Sequence, residues 1–142
     1  MKLHSKYYGD IEYNDSDIIT FSKGLPGFKK LTKFIIVPFE GNNVFSIMHS
    51  TEDIEIGIII VSPFMVVKDY EFKLLENQIK ELEVEKESDI LVYNTVCPNK
   101  DVSKMTVNLK APIVINTKSK VGEQLILDND KYPIKYPLLK EE

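Results

Sequence analysis

Thr106-Val107-Asn108-Leu109-Lys110-Ala111-Pro112-Ile113-Val114-Ile115-Asn116 is the stretch on which the fold turns. Val107, Leu109, Ala111, Ile113 and Ile115 occupy every second position, so one extended strand would turn all five to the same face. Thr106, Asn108, Lys110, Pro112 and Asn116 fall on the other face, and Val114 alone breaks the pattern. Pro112 has no N–H for a ladder, which puts it on an edge strand or at a bulge. The spacing predicts a strand that packs a core with one face and offers polar groups along its edge. Such an edge suits docking; nothing in it suggests catalysis.

The flanking segments read the same way. Ile56-Gly57-Ile58-Ile59-Ile60-Val61 is apolar at every position but the glycine, the pattern of a strand covered on both faces at the centre of the core. Leu3, Ser5 and Tyr7 alternate with polar neighbours before a turn at Gly9-Asp10, and Asn14-Asp15-Ser16-Asp17 supplies a second turn. Further strands are expected at residues 33–37, at 44–49 after the turn Gly41-Asn42-Asn43, at 90–96 and at 124–127. Residues 132–139, with Pro133 and Pro137, read as an extended tail laid over the body. One segment departs from the β pattern. Phe72, Leu75, Ile79 and Leu82 are spaced three, four and three apart, which predicts one short amphipathic helix over about residues 70–83, with Asp69 near its N-cap. Nine or ten short strands and one helix predict a mainly β fold, a small antiparallel β-barrel-like domain comprising residues 1–142.

Composition narrows the function. An apolar share of 43% with 28% charged residues is that of a folded globular chain and excludes a disordered one. No run approaches the roughly 18 apolar residues of a membrane span, and Met1-Lys2-Leu3-His4-Ser5-Lys6 lacks the apolar block of a secretory signal. A single cysteine, Cys97, excludes an internal disulfide and a cysteine-based zinc cluster. A cytoplasmic location with no membrane contact is expected. The net charge of −4, without clustered lysines, makes direct nucleic-acid binding a poor fit. Mild acidity either serves solubility or steers the chain toward a basic protein partner.

No residues converge on chemistry. His4 and His49 lie far apart, and His49 reads as a strand residue with a satisfied ring. Cys97, at a strand end before Pro98, reads as a buried inert thiol. Glu52, Asp53 and Glu55 sit in a loop and read as solvated surface, while Gly24-Leu25-Pro26-Gly27 lacks the Lys-Ser/Thr ending of a phosphate loop. No catalytic residue, metal or cofactor is expected. What remains is surface. Tyr70 stands between Asp69 and Glu71, either as a binding aromatic with charged neighbours or as a packing residue beside a capping aspartate. Residues 25–28, with Leu25 and Phe28, form either a recognition loop or a tight turn whose Phe28 folds back into the core. Lys110 and Pro112 mark a polar edge. These seven are the candidate partner-binding residues. A compact barrel that binds a small ligand or single-stranded nucleic acid is the alternative class.

Three landmarks occur in order: Phe21-Ser22-Lys23-Gly24-Leu25-Pro26-Gly27-Phe28, then Ser62-Pro63-Phe64 followed by Asp69-Tyr70-Glu71, then Thr106-Val107-Asn108-Leu109-Lys110-Ala111-Pro112-Ile113. Together they resemble the flagellar assembly factor family FliW of bacteria, over about residues 3–138. The resemblance implies a minimal β-barrel extended by small sheets and a non-enzymatic cytoplasmic protein, monomeric when free. It implies two partners, flagellin, bound near its C-terminal region, and the carbon storage regulator CsrA, with no direct contact to nucleic acid. On that reading the factor is occupied while flagellin is plentiful and, once freed, captures CsrA and lifts its repression of flagellin translation.

Overall fold

The opening stretch folds as two strands, and the break between them shapes the molecule. The computed structural model describes residues 1–38, 44–128 and 131–138. Among these the strands are β1 (Lys2–Ser5), β2 (Gly9–Glu12), β3 (Ile19–Thr20), β4 (Lys33–Pro38), β5 (Phe45–Ser50), β6 (Gly57–Val61), β7 (Ile90–Cys97), β8 (Thr106–Val107), β9 (Ile113–Asn116), β10 (Val121–Gln124) and β11 (Tyr136–Pro137), with one α-helix, α1 (Glu76–Glu81). The five alternating apolar residues of 106–116 therefore do not share one face of one strand. Val107 and Leu109 pack in one cluster, while Ile113 and Ile115 pack in another. The corner between them is built by Asn108, whose Oδ1 accepts from the N–H groups of Lys110 and Ala111, both at 3.1 Å. An asparagine bonding the backbone two and three residues on stabilises a turn in place of a ladder.

A seven-strand barrel follows from the order β7-β6-β5-β4-β3-β10-β9, which closes because β9 pairs back onto β7. The pairings are antiparallel except β10 with β3, where Val121 lies opposite Thr20. Strand β7 serves three neighbours in turn. Ile90 to Tyr93 pair with β9, Asn94 and Thr95 with β6, and Val96 and Cys97 with β8. Its far end thus leaves the barrel and founds a small sheet with β8 and β11. The β1–β2 hairpin forms a separate sheet, tied to the barrel where Ser5 Oγ meets His49 Nε2 at 2.7 Å. The expected mainly β architecture, a small barrel extended by small sheets, is what the chain adopts.

Period-two alternation fills both sides of the wall. From β6, Ile58 and Ile60 point into the barrel, while Ile59 and Val61 point outward into a second cluster, so the strand is covered on both faces as its composition predicts. The interior is occupied by Phe21, Phe34, Met48, Ile60, Ile113 and Ile115, with the two phenylalanine rings edge-to-face at 5.5 Å. Outside the wall, Tyr70 packs against Tyr132 at 4.4 Å between ring centres, and its hydroxyl donates to the Leu109 carbonyl at 2.6 Å. That bond straps residues 62–74 to the corner. His49 is fully buried with both ring nitrogens engaged, Nδ1 donating to the Ser50 carbonyl at 2.7 Å.

Several boundaries differ from the sequence expectation. The helix starts at Glu76, with Leu75 and not Asp69 at its N-cap, because Tyr70, Phe72 and Leu74 gain more by packing extended against the barrel's outer clusters. Six residues make no stable helix alone. This one is held by fully buried Leu82 and by Asn116, whose Nδ2 donates to the carbonyls of Leu82 and Glu83 at 2.9 and 3.0 Å. The first hairpin turns at residues 6–8, ahead of Gly9, and β10 ends where a strand was expected to begin. Leu125 and Leu127 still bury, donating their N–H groups to the Pro112 and Lys110 carbonyls. Cys97 is exposed and not buried, since Val96 beside it takes the direction of the cluster around Tyr70 and Val107. His4 faces Asp10 across the hairpin at 2.6 Å. The expected turn at Gly41-Asn42-Asn43 and the end of the tail at Leu139 lie outside the described residues.

Two glycines of one loop separate backbone strain from crowding. Gly24 (φ +65°) and Gly27 (φ +87°) both adopt left-handed backbone, but a Cβ on Gly24 would lie 2.5 Å from the Lys29 carbonyl oxygen and one on Gly27 would meet open space. Gly24→Ala is expected to cost about 2–4 kcal/mol and Gly27→Ala about 1–2 kcal/mol in urea unfolding. Equal losses at the two positions would contradict this. Burial pushes the Tyr70 phenol up to about 12 from 10, with the Asn94 side chain pulling the other way. The folded state therefore keeps a proton that the unfolded chain has lost, so this stability is complete below pH 10 and disappears as pH rises to about 12. Tyr70→Phe is expected to cost about 1–3 kcal/mol at neutral pH and to flatten the alkaline fall in stability, followed by tyrosinate absorbance and unfolding.

Candidate partner-binding grooves

Two open grooves adjoin the Asn108 corner and the strap bonded to it. The first begins with the turn at Pro26-Gly27, where Phe28 N–H donates to the Leu25 carbonyl at 2.8 Å. Proline followed by a glycine of positive φ is the pairing that a type II turn requires. The turn splits its flanks: Leu25 is buried in the barrel core, whereas Phe28 stays 37% exposed. Beside them stand Ile58, Ala111, Ile126 and Ile134, with Lys110 at the rim, around about 460 Å³ of open space. Leu25, Phe28 and Lys110, far apart in sequence, thus share one groove. The 25–28 segment is a tight turn, but Leu25 and not Phe28 is the residue that folds back into the core. Pro112 does not join the groove; the residue is buried, and its carbonyl is taken by Leu125.

The second groove, of about 820 Å³, runs between the strap and the outer face of β7. Its apolar walls include Phe64, Phe72, Ile79, Val84 and Leu91, and its rim includes Glu71, Lys73 and Glu87. Tyr70 forms part of the floor and is only 3% exposed, so it works as a packing residue between two exposed carboxylates, Asp69 and Glu71. Glu71 N–H is held by the Tyr132 hydroxyl at 3.0 Å, which fixes the backbone from which its side chain projects.

Sequence reasoning missed the exposed apolar residues that make these concavities. Phe64, Leu91, Ile126 and Ile134 are between 45% and 68% exposed. Leu91 carried no signal, because an outward strand residue looks the same in sequence whether a neighbour covers it or not. Ile126 has a weak one: it lies between buried Leu125 and Leu127 on the outward side of an alternating segment.

The charge is not spread evenly. Residues 69–89 carry eight carboxylates against three lysines, a net of −5, while the remainder has fourteen against fifteen, a net of +1. Among the described residues Glu71 and Glu87 form no ion pair. The loop carrying Glu52, Asp53 and Glu55 lies at the surface and supports the neighbouring backbone. Glu52 accepts the N–H groups of Thr32 and Lys33 at 2.9 and 3.0 Å, which hold its carboxyl below the usual range, and Glu55 pairs with Lys6 at 2.8 Å. Among the described residues no three His, Cys, Asp or Glu side chains gather as a metal site, and no helix is long and apolar enough to cross a membrane.

Comparison with known proteins agrees with this architecture over the whole chain. The model of the FliW protein family matches residues 2–138. The flagellar assembly factor FliW of Clostridium botulinum (strain Okra / Type B1) is 56% identical over 142 residues, covering 100% of this chain and 99% of that one. The protein of the same name from Clostridium kluyveri (strain ATCC 8527 and equivalents) is also 56% identical, covering 98% of its own length. A crystal structure of the flagellar assembly factor FliW superposes with a TM-score of 0.93 at 34% identity, covering 100% of this chain and 99% of that one. The chain belongs to the FliW family of flagellar assembly factors.

Proposed function

We propose that this chain acts in the cytoplasm as a non-enzymatic partner switch. It holds flagellin near flagellin's C-terminal region and, when flagellin is exported, captures the translational regulator CsrA and relieves repression of flagellin synthesis. The observation that supports this reading best is the contrast between inside and outside. The barrel interior is filled by side chains such as Phe21, Phe34 and Met48, whereas solvent-open apolar residues such as Phe64, Leu91, Ile126 and Ile134 gather in two grooves. A filled barrel with grooved flanks suits other polypeptides better than an enclosed small ligand or a nucleic-acid strand.

In this reading residues 1–142 work as one domain that is monomeric when free. Asp69 and Glu71 face the regulator, with buried Tyr70 holding their strap in position. Leu25, Phe28 and Lys110, with Pro112 fixing the backbone beneath them, serve the other docking surface, whose partner is left unspecified. Acidic charge around residues 69–89 favours encounter with a basic RNA-binding protein and acts mainly on association rate and choice of partner. A switch further requires that each partner displace the other by mass action, so their effective affinities must be comparable. Flagellin ends that order only on binding spend part of their binding energy on that ordering.

The purified chain mixed with CsrA and flagellin, separately and together, is expected to co-elute with each alone and to form no complex of all three. A ternary species would overturn mutual exclusion. Asp69→Lys combined with Glu71→Lys is expected to weaken CsrA binding about tenfold or more while leaving the thermal midpoint and flagellin binding nearly unchanged. Unaltered CsrA affinity would remove this strap from the interface.

A further inference from the structure

The groove beside Tyr70 specifies its occupant more narrowly than the one beside Leu25. Phe64 is 51% and Leu91 45% exposed, and both line about 820 Å³ of open space. Large apolar side chains grouped around a concavity mark a place where a partner's apolar residues are received. The electrical setting then selects among partners. Glu71 and Glu87 stand unpaired at the rim, Lys73 is the single cation among the described lining residues, and the surrounding 69–89 segment holds a net −5. An acidic segment entering here would meet like charge, and a basic one would meet its complement. A second copy of this chain in a two-fold contact would bring the same acidic segment against the first, so self-association is disfavoured.

We propose that this groove seats an amphipathic segment of a partner protein, with apolar anchors between Phe64, Ile79 and Leu91 and lysine or arginine side chains directed to Glu71 and Glu87. The inference rests on the reading that the Asp69 and Glu71 face receives the regulator, and it states what that face recognises. Anchors supply the contact area, while flanking cations choose orientation and exclude neutral or acidic competitors.

The probe is a synthetic amphipathic helix of leucine and lysine, compared with its leucine and glutamate counterpart, each titrated into the full chain by fluorescence anisotropy. The lysine peptide is expected to bind and to weaken with added salt, and the glutamate peptide is expected not to bind. Phe64→Ser with Leu91→Ser, both at exposed positions, should weaken the lysine peptide at least about tenfold, as should Glu71→Lys with Glu87→Lys, with unchanged thermal midpoints. Equal binding of both peptides, or lysine-peptide binding untouched by either pair, overturns the proposal. A wild-type dimer dispersed by the serine pair gives the groove to a second copy and also overturns it. CsrA is titrated in parallel. If the serine pair weakens both CsrA and the peptide, the proposal and its assignment to the regulator stand together. If CsrA fails to bind the wild-type chain while the peptide result holds, the groove chemistry stands and the partner-switch reading falls. If CsrA binds but ignores the serine pair, the assignment of this groove to the regulator is overturned.

Discussion

The corner at residues 108–112 is the constraint on which the rest of the molecule depends. Within five residues it receives the Tyr70 hydroxyl on the Leu109 carbonyl and the Asn94 amide on the Asn108 carbonyl. The N–H groups of Leu125 and Leu127 arrive on the carbonyls of Pro112 and Lys110. Leu109, fully buried, sends its own N–H to the Pro133 carbonyl. Buried backbone groups left without partners cost about 1–3 kcal/mol each. A bend in the middle of an apolar stretch is therefore stable only where neighbouring segments converge to satisfy it. The strap, the tail and the 125–127 segment do so, and each is thereby fixed in place.

That convergence also explains where the grooves lie. At the corner itself Asn108, Lys110 and Ala111 line the concavity shared with Pro26 and Phe28. Tyr70, bonded to that corner, holds the strap that walls the concavity along β7. Closure of the barrel through β7 and β9 leaves seven strands without a free edge, so interaction is displaced to these flanks. The extension is guarded too, since its outer strand β11 is two residues long and includes Pro137. Surface ion pairs such as Lys23 with Glu81 and Lys6 with Glu55 add little stability, being exposed and screened. The uneven charge matters instead for which molecules approach, and on which face.

Much of the core was legible because it rests on local pattern. The unbroken apolar run of β6 foretold burial on both faces, and the alternation that includes Ile113 and Ile115 foretold their place in the core, because period two is a property of the extended chain itself. The three landmark motifs likewise carry the family resemblance, being runs of contiguous residues. The helix shows where local pattern misled. Phe72 and Leu75 have helical spacing relative to Ile79 and Leu82, yet Phe72 packs as part of an extended strap and Leu75 is left 56% exposed. Helix propensity over one turn is too weak to compete with burial of an aromatic ring.

Composition and alternation by themselves determined a mainly β chain with a core of Ile, Val and Phe, and drew attention to the motifs near residues 25–28 and 69–71. Only the tertiary structure decided that Tyr70 faces inward, that Pro112 is covered, that Leu25, Phe28 and Lys110 meet, and that Phe64 and Leu91 remain open. The physical reason is that burial depends on which segments converge from elsewhere in the chain. Periodicity says which side chains point the same way; the partners that arrive at the Asn108 corner settle which of those faces is covered and which meets solvent.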